Sequence, residues 1–286
     1  MIWQKKEDGW RVPVKCWASN VEQGASDQAA NMASMPCVFH HVAMMPDAHQ
    51  GMGVCIGGVL ALKNAICPNA IGVDIGCGMQ AIKTNVKAEV FEDMSLRRQW
   101  QVKTKSYVPV GEGNHHKDEQ KWSGFEKYQG LAGAADLSRW PLTIDRQNFG
   151  TLGGGNHFLE NVWVHRKGAT SAKKGETGII PGSMGTSSYI VEGLGNPDSF
   201  MSCSHGAGRR MSRSAASQTL TVAECDEAMK GIVCDRWNKV RHGKAKGMFD
   251  LSEAPGAYKD IDEVIANEAD LVKPVVKLTP LAVLKG

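Results

Sequence analysis

The chain has 286 residues, of which 42% are hydrophobic and 22% charged, with a formal net charge of +3. This composition is typical of a globular protein with one large domain or two small ones, and the mild positive charge permits an anionic substrate without requiring one. No stretch approaches the roughly 18 apolar residues of a membrane span, and the first ten residues lack the apolar core of a signal peptide. We therefore expect a cytoplasmic protein with no membrane partner.

The N-terminal third predicts one helix followed by strands. Residues 20–35 have high helix propensity and stop at Pro36, which cannot continue a helix. Residues 38–46, 54–62 and 70–77 are short apolar runs bounded by Gly, Pro or Asn, a pattern that predicts strands. Consecutive strands joined by glycine turns indicate a sheet.

The middle of the chain predicts little regular structure. Residues 87–149 are richer in charged and polar side chains, and we expect them to form a variable, partly exposed region. Within it, residues 111–120 are the best candidate for an exposed loop.

The C-terminal third predicts two helices and an extended end. Residues 221–237 begin with Thr221 and Glu224 at capping-box spacing, and a second helix is expected near 260–271. Residues 272–286 read as extended. Because regular alternation of strand and helix is lacking, we predict the α+β class with mixed or antiparallel sheets.

Eight cysteines are scattered without a CxxC pair, as expected for a reducing compartment. Most are expected to be small buried hydrophobic residues. Cys77 differs, because Gly76 and Gly78 flank it and Asp74 precedes it by three residues.

Four short segments place potential metal ligands or nucleophiles among glycines, at 45–53, 72–80, 150–160 and 203–214. Glycine allows tight turns in which backbone and side chains close around a metal or a phosphate. The recurrence of this pattern predicts one assembled active site.

Asp74, Cys77 and His157 are the candidate metal ligands. Their mixed oxygen, sulfur and nitrogen donors suit a borderline metal such as Mn, Zn, Co or Fe. Taken one at a time, each has a structural alternative, in which Asp74 caps a turn, Cys77 packs in the core and His157 bonds a carbonyl. The three together favour the metal site.

His205 is the candidate nucleophile, since Gly206 and Gly208 leave room for a phosphate that Arg209 could clamp. Its alternative is a structural histidine before a helix. Upstream, residues 178–193 offer glycines, backbone N–H groups and three serines, Ser183, Ser187 and Ser188, as a phosphate cradle.

Asp47 and His49 lie on one face of an extended segment, where they could support the ligands of a metal or contact a substrate.

These motifs resemble, in order, those of the RtcB family of RNA-splicing ligases, and the resemblance spans most of residues 12–286. It implies a single RtcB-like domain that joins RNA 3′-phosphate or 2′,3′-cyclic phosphate ends to 5′-hydroxyl ends, using GTP and Mn²⁺. It also implies RNA substrates and an archease-type activator. The motifs that carry it are MPDAHQGMG, GVDIGCGM, GTLGGGNHFLE, VHRKGATSA, GIIPGSMGTSSYIVEGLGN, SCSHGAGRRMSR, AYKDID and the terminal LKG.

The resemblance also implies a role for each matching residue. His205 would form a covalent histidine–GMP, while Asp74, Cys77 and His157 would bind one or two Mn²⁺ ions. Asn156 and Ser183 would hold the phosphates of the nucleotide, and Arg209 would lie near the reacting phosphate. Glu160, Ser188 and Lys285 would recognise the guanine, and Tyr258 would pack on its ring.

One part of the family pattern is missing. In the family, a segment the size of a small domain separates GNHFLE from VHRKGAT and carries two further metal-binding histidines. Here the two motifs are nearly continuous, which indicates an internal deletion between Glu160 and His165. The deletion leaves two other functions open, a catalytically impaired binder of guanine nucleotide or RNA and a metal-dependent phosphodiesterase.

Overall fold

The computed structural model describes residues 1–72, 77–105, 144–149, 152–235, 237–240 and 243–284. Its strands are β1 (Trp3–Lys5), β2 (Val14–Cys16), β3 (Val38–His49), β4 (Ile56–Leu62), β5 (Cys77–Ile82), β6 (Ile144–Phe149), β7 (Leu152–His157), β8 (Glu160–Lys167), β9 (Ala169–Ser171), β10 (Thr177–Ile180), β11 (Ser188–Gly193), β12 (Ser202–Ser204) and β13 (Val272–Leu278). Its α-helices are α1 (Gln23–Ala33), α2 (Met94–Lys105), α3 (Arg213–Thr219), α4 (Val222–Ala228) and α5 (Ile261–Asn267).

A six-stranded mixed sheet organises the molecule, with the strand order β1-β2-β3-β4-β8-β7. Strands β2 and β3 run parallel, and each of the other neighbouring pairs is antiparallel. Smaller antiparallel sheets pair β10-β11-β13, β9-β12 and β5-β6. The predicted α+β class with mixed and antiparallel sheets is confirmed.

Hydrophobic clusters cover both faces of the large sheet, because side chains alternate along each strand. On β3, Val42 and Met44 are buried in a cluster with helix α1, whereas Ala43 and Met45 are buried in a second cluster with helix α5. The second cluster also contains β12, so it lies beneath the segment that carries His205.

Most predicted elements of the N-terminal third are present. The helix expected at 20–35 spans Gln23–Ala33, and the strands expected at 38–46 and 54–62 are β3 and β4. The strand expected at 70–77 is wrong in its bounds. Pro68–Ala70 form a 3₁₀ turn, in which Pro68 occupies the first turn, and β5 starts only at Cys77.

The two predicted C-terminal helices are shorter than expected. Thr221 and Glu224 form the predicted capping box, but α4 ends at Ala228 because Gly231 soon follows with a φ of +81°. The helix expected at 260–271 spans Ile261–Asn267, and the extended end contains β13. The loop expected at 111–120 lies outside the described residues. Among the helices that the structure describes, none is both long and apolar enough to cross a membrane.

Candidate functional site

Strand β3 ends in an irregular stretch that carries Asp47. Met44 pairs with Gly58 on β4, but the next pair joins His49 to Ile56, so four residues of β3 lie opposite a single residue of β4. A bulge of this kind bends the strand and re-aims its side chains. Asp47 consequently leaves the ladder, and it is completely buried.

The Asp47 carboxylate contacts the predicted nucleophile, His205, which follows strand β12. Oδ2 of Asp47 lies 2.5 Å from Nδ1 of His205 and also accepts a hydrogen bond from the His205 backbone N–H at 3.3 Å. The His205 side chain is 28% exposed, whereas that of Asp47 is fully enclosed. The imidazole is therefore supported from the interior and partly exposed.

This contact determines the protonation of the imidazole. An ionised carboxylate is only an acceptor, so Nδ1 carries the hydrogen and the neutral ring has its lone pair on Nε2. Burial by itself lowers the pKa of His205. This effect is outweighed by the charge of Asp47, by the hydrogen bond to Asp47 and by a further hydrogen bond to the Gly168 backbone, so the pKa lies above its usual value.

Two glycines with positive φ allow the backbone to close around Asp47. A Cβ on Gly57 would lie 2.8 Å from Cα of Ala48 and 2.9 Å from Oδ1 of Asp47. A Cβ on Gly208 would lie 2.4 Å from the Asp47 carbonyl oxygen. A residue with a side chain at either position would displace the carboxylate from His205.

A cavity of about 460 Å³ is lined in part by Pro181, whose carbonyl accepts a hydrogen bond from the backbone of Ala207 in the His205 segment. Its size and mixed polar and apolar lining are typical of sites for small ligands. The cavity brings together three of the predicted nucleotide-binding residues, Ser183, Ser188 and Tyr258. The other lining residues are Met79, Pro181, Gly182, Met184, Thr186, Glu253, Leu278, Thr279, Pro280, Val283 and Leu284.

The turn between β10 and β11 forms one wall of the cavity. Ser183 donates its backbone N–H to the Thr186 hydroxyl at 2.7 Å, and Gly182 donates to the Ser188 hydroxyl at 3.2 Å. A Cβ on Gly182 would lie 2.1 Å from the Ser187 carbonyl oxygen. Only glycine permits this tight turn, whose Ser183, Thr186 and Ser188 line the cavity.

Arg209, Tyr258 and Glu253 form a connected group at the cavity wall. The Arg209 guanidinium lies 4.9 Å from the Tyr258 ring centroid and donates to its hydroxyl at 3.0 Å. The Tyr258 hydroxyl in turn donates to Glu253. Burial, followed by this contact with Glu253, raises the pKa of Tyr258 to about 12, so the phenol stays protonated.

Backbone hydrogen bonds join the His205 segment to the cavity. Ala207 donates to the carbonyl of Pro181 at 2.9 Å, and Lys259 donates to the carbonyl of Gly208 at 3.0 Å. The His205 segment and the cavity wall are therefore connected by backbone hydrogen bonds.

Comparison with known proteins agrees with this arrangement. The family model of the tRNA-splicing ligase RtcB matches residues 28–161 and 160–286, which together are most of the chain. The chain belongs to the RtcB family.

Two curated RtcB proteins align along nearly their whole length. The RNA-splicing ligase RtcB of Escherichia coli K12 is 29% identical over 415 aligned positions, covering 96% of this chain and 98% of the relative. The tRNA-splicing ligase RtcB of Nanoarchaeum equitans is 24% identical over 476 positions, covering 100% of this chain and 98% of the relative. Because 415 positions exceed the 286 residues of this chain, the relatives contain residues with no counterpart here.

Of the predicted metal ligands of the RtcB site, the structure describes the side chain of His157 alone. This residue ends β7, and its ring lies 5.6 Å from that of Phe200 in an edge-on contact. Burial is the main cause that lowers the pKa of His157, and the nearby positive charges of Arg166 and Lys173 lower it further. A neutral imidazole is the form that binds a metal.

Glu160 lies opposite His157 in the β7–β8 hairpin. Its carboxylate is exposed and pairs with Lys63 at 3.0 Å, and Glu160 does not line the described cavity. The guanine contact implied for Glu160 stays a prediction.

Asp74 and Lys285 lie outside the described residues, as do the side chains of Cys77 and Asn156. Across the part of the chain that the structure describes, no three His, Cys, Asp or Glu side chains cluster in a way that could hold a metal. The predicted roles of these four residues remain predictions.

Sequence reasoning missed two residues of the site, Glu253 and Lys259. Lys259 lies within the AYKDID motif next to Tyr258, but nothing in the motif indicates its contacts with the Asp47 segment. For Asp47 itself, the sequence indicated a supporting or substrate-contacting residue, and in the structure its carboxylate contacts His205, the predicted nucleophile.

Proposed function

We propose that this chain is an RNA ligase that joins 3′-phosphate or 2′,3′-cyclic phosphate ends to 5′-hydroxyl ends, with GTP, Mn²⁺ and a covalent His205–GMP intermediate. The observation that carries the proposal is the His205–Asp47 pair, whose segment is hydrogen-bonded through Ala207 to a wall of the cavity that Ser183, Ser188 and Tyr258 also line. The names of the relatives, RNA-splicing and tRNA-splicing ligases, support RNA as the substrate.

In the first step, Nε2 of neutral His205 attacks the α-phosphorus of GTP. A nitrogen–phosphorus bond forms, the bond to the bridging oxygen breaks, and pyrophosphate leaves. Asp47 keeps the hydrogen on Nδ1 and stabilises the positive charge that develops on the ring. Its burial strengthens this interaction, because no water competes for the carboxylate.

The cavity would hold the guanine nucleotide during this step. The Tyr258 ring would offer a surface for the base, and the β10–β11 turn would offer the hydroxyl groups of its serines to the phosphates. Arg209 would contribute a planar cationic group close to the reacting phosphate.

The donors predicted for the metal fit Mn²⁺, since a carboxylate, a thiolate and a neutral imidazole together suit a borderline metal. Asp74, Cys77 and His157 would hold the ion. When bound, it would neutralise the phosphates and polarise the α-phosphorus.

Two further steps complete the proposed reaction. An oxygen of the RNA 3′-phosphate attacks the phosphorus of the bound GMP, which breaks the nitrogen–phosphorus bond and releases His205. The 5′-hydroxyl of the second RNA then attacks the activated 3′-phosphorus, forming the phosphodiester and releasing GMP. A cyclic phosphate is opened by hydrolysis beforehand. RNA ends are thus the proposed partner, and an archease-type activator is proposed on the family resemblance alone.

A second candidate function is guanine-nucleotide or RNA binding without ligation. The division of the family match at residues 160–161 favours it, because the sequence lacks the two further histidine motifs of the family near this point. Catalysis by two metals requires both ions within about 4 Å of each other, and fewer ligands would disturb that spacing.

Covalent labelling separates the candidates. With GTP carrying radioactive phosphorus at the α position and Mn²⁺, the wild-type chain should take up label and His205→Ala should not. His40→Ala is the matched control, since His40 is exposed on β3 and should keep the label. If the chain binds nucleotide but takes up no label with any divalent metal, the second candidate, binding without ligation, is supported. Opening of a cyclic phosphate without GTP would instead indicate a phosphodiesterase.

A further inference from the structure

Glu268 lies beneath the nucleophile and has no role in the reaction described above. It follows helix α5 and is completely buried. Its Oε2 accepts the backbone N–H of Ser204, the residue before His205, at 2.9 Å. The Glu268 carbonyl accepts hydrogen bonds from the backbone N–H groups of Leu271 and Val272 at 2.8 and 3.0 Å. Glu268 therefore belongs to a hydrogen-bonded turn that leads into β13.

Buried polar atoms without good partners surround this contact. They are Oδ1 of Asp47, Oγ of Ser204 and Oε1 of Glu268, none of which makes a hydrogen bond of good geometry with the described residues. The Ser204 hydroxyl is nevertheless close enough to Glu268 to lower the pKa of the acid. A proton on Oε1 would give this atom a hydrogen to donate, with the Ser204 hydroxyl oxygen as the neighbouring acceptor.

The charges around Glu268 favour that proton. Burial is the main cause that raises the pKa of Glu268, to about 8, and the carboxylates of Asp47 and Asp270 raise it further. The nearby Cys203 thiol on β12 is also buried, which raises its pKa well above the usual value and keeps it neutral. The Asp47 carboxylate, which contributes to the raised pKa of Glu268, is the one that contacts His205.

We propose that Glu268 is a positioning residue that acts as a neutral carboxylic acid, holding the Ser204 backbone beneath His205 while the negative charge of this pocket remains on Asp47. Ionised Glu268 would add a second negative charge near the imidazole and hold it in the protonated, non-nucleophilic form. This inference rests on the proposed function of His205 for its effect on rate, but not for the protonation of Glu268 itself.

Glu268→Gln and Glu268→Ala test the proposal together. The glutamine amide has one acceptor and one donor group, like the protonated acid, whereas alanine removes both. At neutral pH, Glu268→Gln should take up the GMP label at a rate close to wild type. Glu268→Ala should be slower by on the order of 100-fold, as expected when a nucleophile is misplaced by about 1 Å. Thermal unfolding identifies a variant that fails to fold.

The pH profile gives a readout that a merely structural role would not change. Wild-type labelling should decline as pH rises through about 8 and Glu268 ionises, and this decline should be absent in Glu268→Gln. Equal profiles for the two proteins, or a Glu268→Gln variant as slow as Glu268→Ala while still folded, would overturn the proposal.

Two measurements remain decisive even if the wild-type chain takes up no label and the proposed function fails. Infrared difference spectra taken across pH 8 should show the carbonyl stretch of a protonated acid in wild type and lack it in Glu268→Gln. The pKa of His205, followed by NMR at neutral pH, should be the same in wild type and Glu268→Gln and lower in Glu268→Ala. Absence of the acid stretch, or a His205 pKa that Glu268→Ala leaves unchanged, would contradict the proposal.

Discussion

The Lys259 ammonium holds the backbone on both sides of Asp47. Its Nζ donates to the carbonyl oxygens of Pro46 at 3.1 Å and Ala48 at 2.6 Å. Burial lowers the pKa of Lys259, and the charge of Asp47 opposes that effect. Lys259, which is more than 200 positions further along the chain, therefore stabilises the bulge that directs Asp47 toward His205.

Replacing Lys259 by Met should loosen this bulge. Two carbonyl groups would lose their donor, and the cost of leaving buried polar groups unpaired is about 1–3 kcal/mol of unfolding free energy. Urea denaturation checks the stability, and GMP labelling should also slow. Lys230→Ala is the control, since the Lys230 side chain is 76% exposed and its loss should cost less than about 0.5 kcal/mol. Equal stability of the two variants would show that Lys259 does not fasten the bulge.

Gly57 and Gly175 form a matched pair, because both have a φ of +77°. A Cβ on Gly57 would collide with Ala48 and Asp47, whereas a Cβ on Gly175 meets nothing within 4 Å. Gly175→Ala should therefore cost only the backbone strain of about 1–2 kcal/mol, and Gly57→Ala a further 1–3 kcal/mol. Chemical denaturation measures the difference. Only Gly57→Ala should reduce labelling, and an active Gly57→Ala variant would contradict the role assigned to this close approach.

The raised pKa of His205 predicts opposite pH dependences for stability and for rate. The folded-state pKa lies above 6.5, so the His205–Asp47 pair stabilises the fold fully below about pH 6.5, and this contribution is lost as pH rises through the folded-state pKa. Labelling requires the neutral imidazole, so its rate should increase over the same range.

Asp47→Asn tests the cause of that shift. Without the carboxylate charge the pKa of His205 should fall, and the acid limb of the labelling profile should move to lower pH. The maximal rate should also drop, because the imidazole loses the charge that stabilises its cationic form. Glu192→Gln, an exposed substitution on β11, serves as the control. If the labelling rate of Asp47→Asn falls at the same low pH as that of wild type, a group other than the His205–Asp47 pair controls this fall.

The Tyr258 ring, more than its hydroxyl, should contribute to nucleotide affinity. Tyr258→Phe keeps the surface facing the cavity and loses the hydrogen bonds to Arg209 and Glu253. Stacking of an aromatic ring contributes about 0.5–1.5 kcal/mol, so Tyr258→Ala should raise the Kd for GTP up to about tenfold and Tyr258→Phe far less. Displacement of a fluorescent guanine nucleotide measures both. Equal Kd values for wild type and Tyr258→Ala would show that the guanine base does not bind against Tyr258.

Metal binding should depend on His157. His157→Ala removes a nitrogen donor and should weaken Mn²⁺ binding by at least about tenfold. Electron paramagnetic resonance of the free ion measures this affinity. His40→Ala should leave the affinity unchanged. Chelation of the metal should abolish labelling. One bound ion per chain would favour the binding function, and two would favour a site rebuilt for ligation.

Local sequence patterns were sufficient for many elements of the fold. Pro36 limited helix α1, the Thr221 and Glu224 spacing identified the start of α4, and apolar runs identified β3 and β4. These features depend on residues a few positions apart, so their physics is visible in the sequence. The strand predicted at 70–77 agrees less well, because a proline-led 3₁₀ turn spans Pro68–Ala70 and the described strand β5 begins at Cys77.

The sequence by itself also predicted the chemistry of the site, since its motifs resemble a pattern in which His205 would be the nucleophile and Ser183, Ser188 and Tyr258 would surround a nucleotide. Only the tertiary structure decided which groups control that nucleophile. Asp47 lies 158 residues before His205 in the chain, and Glu268 lies 64 residues after Ser204. Their contacts depend on a strand bulge, on glycines that allow close approach and on burial, and these conditions arise only when distant segments pack together.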